Sequence, residues 1–154
     1  MRVAVVDIDD TLFLGGRISF FLWHISLFIQ RIGRKLQRVN STLLLQLEGY
    51  ERVIVLTGRD EKEVQFTKGQ LRRAGVKFDS LICCPRKKLI NEWKAQIVGD
   101  ISHREKVVWF DDIFEEAPSK VFGSQAFPNV TPLRPINVLR ITKKREKDSE
   151  LEWL

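Results

Sequence analysis

Four short apolar runs punctuate the chain: Arg2–Ile8 (RVAVVDI), Arg52–Leu56 (RVIVL), Ser80–Cys84 (SLICC) and Lys106–Phe110 (KVVWF). None alternates cleanly with polar residues. Continuous β-branched runs of this length predict strands buried on both faces, as in a parallel sheet. Longer and more polar segments separate them. Glu61–Ala74 carries Val64, Leu71 and Ala74 on one side, and Gly75 stands where a helix stop is expected. Lys87–Val98 places Leu89, Ile90, Trp93 and Ile97 at helical spacing. Strands alternating with helices predict a doubly wound α/β fold, a Rossmann-like three-layer sandwich around a mostly parallel sheet. Past Pro118 the pattern weakens. Val121–Phe127 and Asn137–Ile141 are candidates for further strands, and Pro128, Pro132 and Pro135 mark turns and loop. Residues 143–154 are charge-dense and read as a tail or helix, which leaves one domain over residues 1–142.

The most apolar stretch, Ile18–Ile29, is well short of the roughly 20 residues that span a membrane. It follows three aspartates, Asp7, Asp9 and Asp10, where a secretory signal needs a positive leader. With no transmembrane segment and no signal, a cytoplasmic location is expected. Continued to Val39, the stretch combines an apolar body (Phe20, Phe21, Trp23, Phe28) with a basic side (Arg31, Arg34, Lys35, Arg38). It reads as a long amphipathic helix packed on the sheet. The sharper readings are a lid or homodimer contact through 18–39, and a contact with nucleic acid or a membrane surface.

Composition narrows the picture modestly. The chain has 154 residues, 44% hydrophobic and 30% charged, as in ordinary globular domains. Its net charge of +6 favours anionic partners without choosing among them. The two cysteines, Cys83 and Cys84, are adjacent, so a disulfide framework is excluded and a reducing compartment is the better expectation. Two Cys and two scattered His do not make a zinc site at usual spacing.

Chemistry in open α/β sheets gathers beyond the carboxyl ends of the strands. After the first predicted strand comes Asp7-Ile8-Asp9-Asp10-Thr11, and after the second Thr57-Gly58-Arg59. Arg86-Lys87-Lys88 follows the third, at a helix start, and Asp111-Asp112 follows the fourth. One sheet edge thus receives several carboxylates, a hydroxyl and at least one lysine. Crowded carboxylates are costly unless a cation neutralises them, and hard oxygen donors suit Mg²⁺. The fitting reaction is phosphoryl transfer: a carboxylate attacks phosphorus, and lysine and hydroxyl hold the equatorial oxygens. A second carboxylic acid serves the leaving group and then the water.

These motifs, in this order, resemble those of the haloacid dehalogenase-like (HAD) hydrolases. Asp7-Ile8-Asp9-Asp10-Thr11 is similar to their DxDx[TV] motif, Thr57 to the second motif, Lys88 (or Lys87) to the third, and Asp111-Asp112 to the fourth. The resemblance covers roughly residues 2 to 130. It implies Asp7 as nucleophile and metal ligand. Asp9 is implied as general acid/base, ligating metal through its backbone carbonyl. It further implies Thr57 and Lys88 as phosphoryl binders and Asp111 and Asp112 as Mg²⁺ ligands. Asp10, Gly58, Arg59, Arg86 and Lys87 are candidate substrate contacts. The run Thr57-Gly58-Arg59, Leu71, Ala74-Gly75-Val76, Asp79, Lys88, Trp93, Asp111-Asp112 resembles, more finely, the phosphatase domain of polynucleotide kinase-phosphatases.

The stretch from Asp9 to Thr57 holds a helical flap or small cap at 18–45, and from Thr57 to Lys88 there is room for one helix and one strand. The site is therefore expected to be open, which suits a bulky phosphorylated substrate such as a nucleic-acid end or nucleotide. The alternatives are a small-metabolite phosphatase closed by oligomerisation, and a phosphate-binding, receiver-like module without turnover. Intact Asp9 argues against the second.

Overall fold

The computed structural model describes residues 2–15, 27–85, 89–115 and 129–133. In chain order these form β1 (Arg2–Val6), β2 (Phe13–Leu14), α1 (Leu27–Lys35), β3 (Arg38–Val39), α2 (Ser41–Leu47) and β4 (Arg52–Asp60). A 3₁₀ turn (Glu61–Glu63), α3 (Val64–Arg73), β5 (Ser80–Cys84), α4 (Ile90–Ser102) and β6 (Lys106–Phe110) follow. A second 3₁₀ turn (Asp112–Glu115) and β7 (Val130–Leu133) complete the set.

Five strands pair in the order β5-β4-β1-β6-β7, all parallel. The apolar runs lack alternation because both faces of the sheet are covered. Ala4, Val6, Val53, Val55, Val108 and Phe110 turn to one face, where Leu43 and Leu47 of α2 and Leu71 of α3 meet them. Val3, Val5, Ile54, Leu56, Val107 and Trp109 turn to the other, against Trp93 and Val98 of α4. This is the expected three-layer arrangement, with β1 at the centre and Val3–Val6 fully buried. Burial of that kind contributes about 1.5–3 kcal/mol per large side chain.

A second, two-stranded sheet pairs β2 with β3 antiparallel, Phe13 opposite Val39 and Leu14 opposite Arg38. Asn40 secures it: its side chain accepts from Leu43 N as the N-cap of α2 and donates to the Thr11 carbonyl. α1 lies between these two short strands in sequence.

Several boundaries differ from the sequence expectation. β4 continues past Leu56 to Asp60, so Thr57, Gly58 and Arg59 belong to the strand, with a register shift between Thr57 and Asp60. The predicted helix at Lys87–Val98 begins later, at Ile90, and ends later, at Ser102. Of the long helix expected over 18–39, α1 is the described part, and Arg38–Val39 form a strand. Pro132 lies within β7, opposite Trp109, rather than in a turn. Proline lacks the amide that a central strand needs, and β7 is the outermost strand among the described residues. The candidate strands 121–127 and 137–141 and the tail 143–154 fall outside the described residues. No helix among the described residues is long and apolar enough to cross a membrane.

Candidate active site

The register of the two central strands builds the core of the site. Val6 of β1 is paired with Phe110 of β6. The next residue of each chain segment is an aspartate, so Asp7 and Asp111 emerge side by side. The Asp7 amide donates to the Phe110 carbonyl at 2.9 Å, and the Asp111 amide donates to the Leu133 carbonyl at 3.2 Å. Both acids are buried. Two neighbouring carboxylates out of water repel one another strongly.

A lysine lies between them. Lys94 Nζ donates to Asp7 Oδ1 and to Asp111 Oδ2, each at 2.8 Å, and its side chain is 4% exposed. It comes from the second turn of α4, one residue past Trp93, which packs on the sheet. Asp111 is further fixed by Trp109 Nε1, which donates to Oδ2 at 3.2 Å, and by the Ile113 amide, which donates to Oδ1 at 3.2 Å. Burial pushes the Asp7 carboxyl up to about 8, with Lys94 pulling it down and Asp111 and Asp9 adding to the rise. Burial outweighed by the two carboxylates leaves the Lys94 ammonium above its ordinary range. Burial, then Asp111 and Asp10, push Asp112 up to about 6.

Asp9 faces a different set of groups. Arg59 Nε donates to its Oδ2 at 2.9 Å and Arg59 Nη2 to its Oδ1 at 2.7 Å, a two-pronged pair. Gln37 Nε2 donates to the same Oδ1 at 2.8 Å. Burial pushes this carboxyl up, but the bonds and charge of Arg59 and the bond from Gln37 together hold it below the usual carboxylate value. Arg59 is itself held by Gln70 Oε1 at 2.7 Å and by Gln37 Oε1 at 3.2 Å. Gln70 Nε2 donates to the Arg34 carbonyl at 2.7 Å, which ties α3 to α1.

Asp7, Asp111 and Asp112 thus converge. Thr57 is buried in β4, and its Oγ1 accepts the Arg59 amide at 3.2 Å. Gly58 lies against Ile90 at the start of α4, where a Cβ would come within 2.9 Å of Ile90 Cγ2. Asp10 follows with φ of 61°, a left-handed conformation in the loop after β1. Arg59, a candidate substrate contact from the sequence, has a side chain 1% exposed and engaged by Asp9, Gln70 and Gln37. Arg86, Lys87 and Lys88 lie outside the described residues. The lysine seen at the carboxylates is Lys94, which the motif spacing does not suggest. Its signal in the sequence is a charge set among the apolar helical positions Ile90, Trp93, Ile97 and Val98. Gln37 and Gln70 carry no signal, since glutamines at such positions ordinarily face water.

The donor set fits a hard divalent cation. Asp7, Asp111 and Asp112 each present a carboxylate oxygen within 4.8 Å of the others. Burial is the main cause of the raised carboxyls of Asp7 and Asp112, and the neighbouring acids add to it; a bound cation would relieve both. The Asp9 carboxylate stands outside this trio.

No family model and no curated protein matches the sequence. Among solved structures, the fold is similar to a chain of the Pnkp1/Rnl/Hen1 RNA repair complex, with a TM-score of 0.62 and 17% identity, over 87% of this chain and 42% of that one. A second structure of a Pnkp1/Rnl/Hen1 complex gives 0.61 and 16%, over 88% of this chain and 47% of that one. This chain therefore spans less than half the length of either, and the likeness is one of fold.

Proposed function

We propose that this protein is a Mg²⁺-dependent phosphomonoesterase of HAD type, acting through an aspartyl-phosphate on Asp7, with a nucleic-acid end or nucleotide as favoured substrate. The observation that carries the reading is the buried lysine between Asp7 and Asp111, with Asp112 beside them. Lys94 pulls the Asp7 carboxyl down against its burial, and a divalent cation bound beside it would complete the shift to the anion that attacks phosphorus. Asp7, Asp111 and Asp112 would hold Mg²⁺, whose charge would offset the repulsion between that anion and the phosphate. Thr57 accepts through its oxygen from the Arg59 amide, which leaves its O–H to donate to a phosphoryl oxygen.

Asp9 supplies the proton traffic. Held ionised by Arg59 and Gln37, it is set to take a proton from the water that hydrolyses the aspartyl-phosphate. In the first step the same carboxyl, once protonated, would give its proton to the leaving oxygen. That the fold is similar to chains of an RNA repair complex, and that the chain carries +6, favour a nucleic-acid end over a small metabolite.

The test is phosphate release with Mg²⁺ or EDTA, by wild type and Asp7→Asn. The substrates are a 3′-phosphorylated oligonucleotide, a 5′-phosphorylated one, nucleoside monophosphates and p-nitrophenyl phosphate. Turnover that needs Mg²⁺ and is lost in Asp7→Asn is expected, with an oligonucleotide preferred. Turnover indifferent to either change would sink the mechanism, and a preference for the smallest substrates would sink the nucleic-acid assignment.

A further inference from the structure

Helix α1 meets α3 and the turn before it through a few side-chain contacts. Arg34 is ion-paired with Glu63, both buried. The Arg31 guanidinium sits 5.6 Å from the Phe66 ring centroid, and Gln70 reaches the Arg34 carbonyl. These interactions use Glu63; Asp60 and the exposed Glu61 of the same turn flank Lys62, so the basic surplus lies on the two helices themselves. Arg31, Lys35 and Arg38 are exposed on one side, and Arg72 and Arg73 on the other. Neither residues 27–38 nor residues 64–73 contain a single Asp or Glu.

Helical segments of one sign, such as 27–38 and 64–73, carry a cost. Arg31 and Lys35 are like charges one helical turn apart, an unfavourable pair that interspersed acids would relieve. Surfaces that serve solubility alone mix both signs. The elements carrying these cations also run into the site: Gln37, between Lys35 and Arg38, bonds Asp9, and Gln70 of α3 bonds Arg59. The Arg31–Phe66 pair adds a guanidinium and a half-buried ring, the kind of platform on which bases stack.

We propose that the sugar–phosphate backbone of a single-stranded nucleic acid lies along this α1–α3 ridge, which delivers the phosphorylated end to Asp7. The proposal rests on the phosphatase reading above and specifies where its polymer substrate is held. α3 is about 15 Å long at 1.5 Å per residue, enough for a few nucleotides.

The experiment uses the full chain and two charge reversals, Arg31→Glu/Lys35→Glu and Arg72→Glu/Arg73→Glu, with thermal melts to confirm folding. Binding of a 3′-phosphorylated single-stranded oligonucleotide is measured against salt, in the Asp7→Asn background. kcat/KM is measured on that oligonucleotide and on p-nitrophenyl phosphate, which is too small to reach the ridge. Each reversal should lower kcat/KM for the oligonucleotide by about tenfold or more, through KM, with p-nitrophenyl phosphate unaffected. The slope of log affinity against log salt should shrink by about 0.7 for each phosphate that the variant no longer neutralises. Equal losses on both substrates, or no loss on either, would overturn the ridge. So would unchanged oligonucleotide binding alongside abolished binding to anionic phospholipid vesicles, which would make the face a membrane-binding one. If wild type hydrolyses nothing, the phosphatase reading fails, while the binding arm still decides the ridge.

Discussion

Lys94 holds a buried ammonium 2.8 Å from each of two buried carboxylates, and its removal leaves those charges facing one another. Lys94→Met keeps the length and the apolar stem of the side chain but deletes the charge. Turnover by this variant should fall by about 100-fold or more, because one charge-stabilising donor at a phosphoryl site is worth that much. Phosphate release by Lys94→Met against wild type checks it, and near-wild-type turnover would remove Lys94 from the mechanism. At this scale the sequence is partly legible. Asp7, Asp111 and Asp112 are readable because each closely follows an apolar strand run, a relation local in sequence. Lys94 is not, since its place depends on the start and phase of α4, and the helix begins three residues later than the apolar pattern suggests. Arg59 is legible as part of Thr57-Gly58-Arg59, but its direction is not. Only the fold reveals that Asp9, Gln37 and Gln70 surround it.

At the scale of elements, the Arg34–Glu63 pair fastens α1 to α3, with side chains 5% and 3% exposed. Truncating one member strands the other as an uncompensated buried charge. Glu63→Ala should therefore destabilise the protein by about 3–5 kcal/mol, whereas the paired change Arg34→Met/Glu63→Leu should cost far less or nothing. Urea unfolding of the three proteins measures the difference. Equal destabilisation by the single and double variants would show that packing, and not charge, joins the helices. The amphipathic reading of 18–39 places Arg34 on a solvated basic side. The buried glutamate that captures it lies 29 residues away, beyond what helical periodicity can register.

For the whole molecule, the layering is legible and the register is not. Apolar runs separated by helical patterns suffice for a parallel sheet with helices on both faces. They do not state which strands are neighbours, so the pairing of β1 with both β4 and β6 is visible only in the structure. That pairing gives the fold a pH signature. Asp7 and Asp112 have carboxyls raised to about 8 and about 6 in the folded protein, from an ordinary 3.8. Between those values the folded state holds protons that the unfolded chain has released, so stability falls as pH rises. The metal-free melting temperature should decline from pH 4 towards pH 8. Mg²⁺ should restore most at the upper end, where both carboxyls are charged. A flat or rising metal-free profile over that interval would contradict the site's charge balance.

The same pairing bears on how readily such a protein can change. Asp7 and Asp111 are set by adjacent positions on two deeply buried strands, so moving either by an ångström means disturbing the part of the sheet that tolerates least. Residues of α1 and α3 that face water carry no such penalty. New preferences should therefore arise by substitution around the rim, under natural selection or in a laboratory library, while the acids at the strand ends stay fixed.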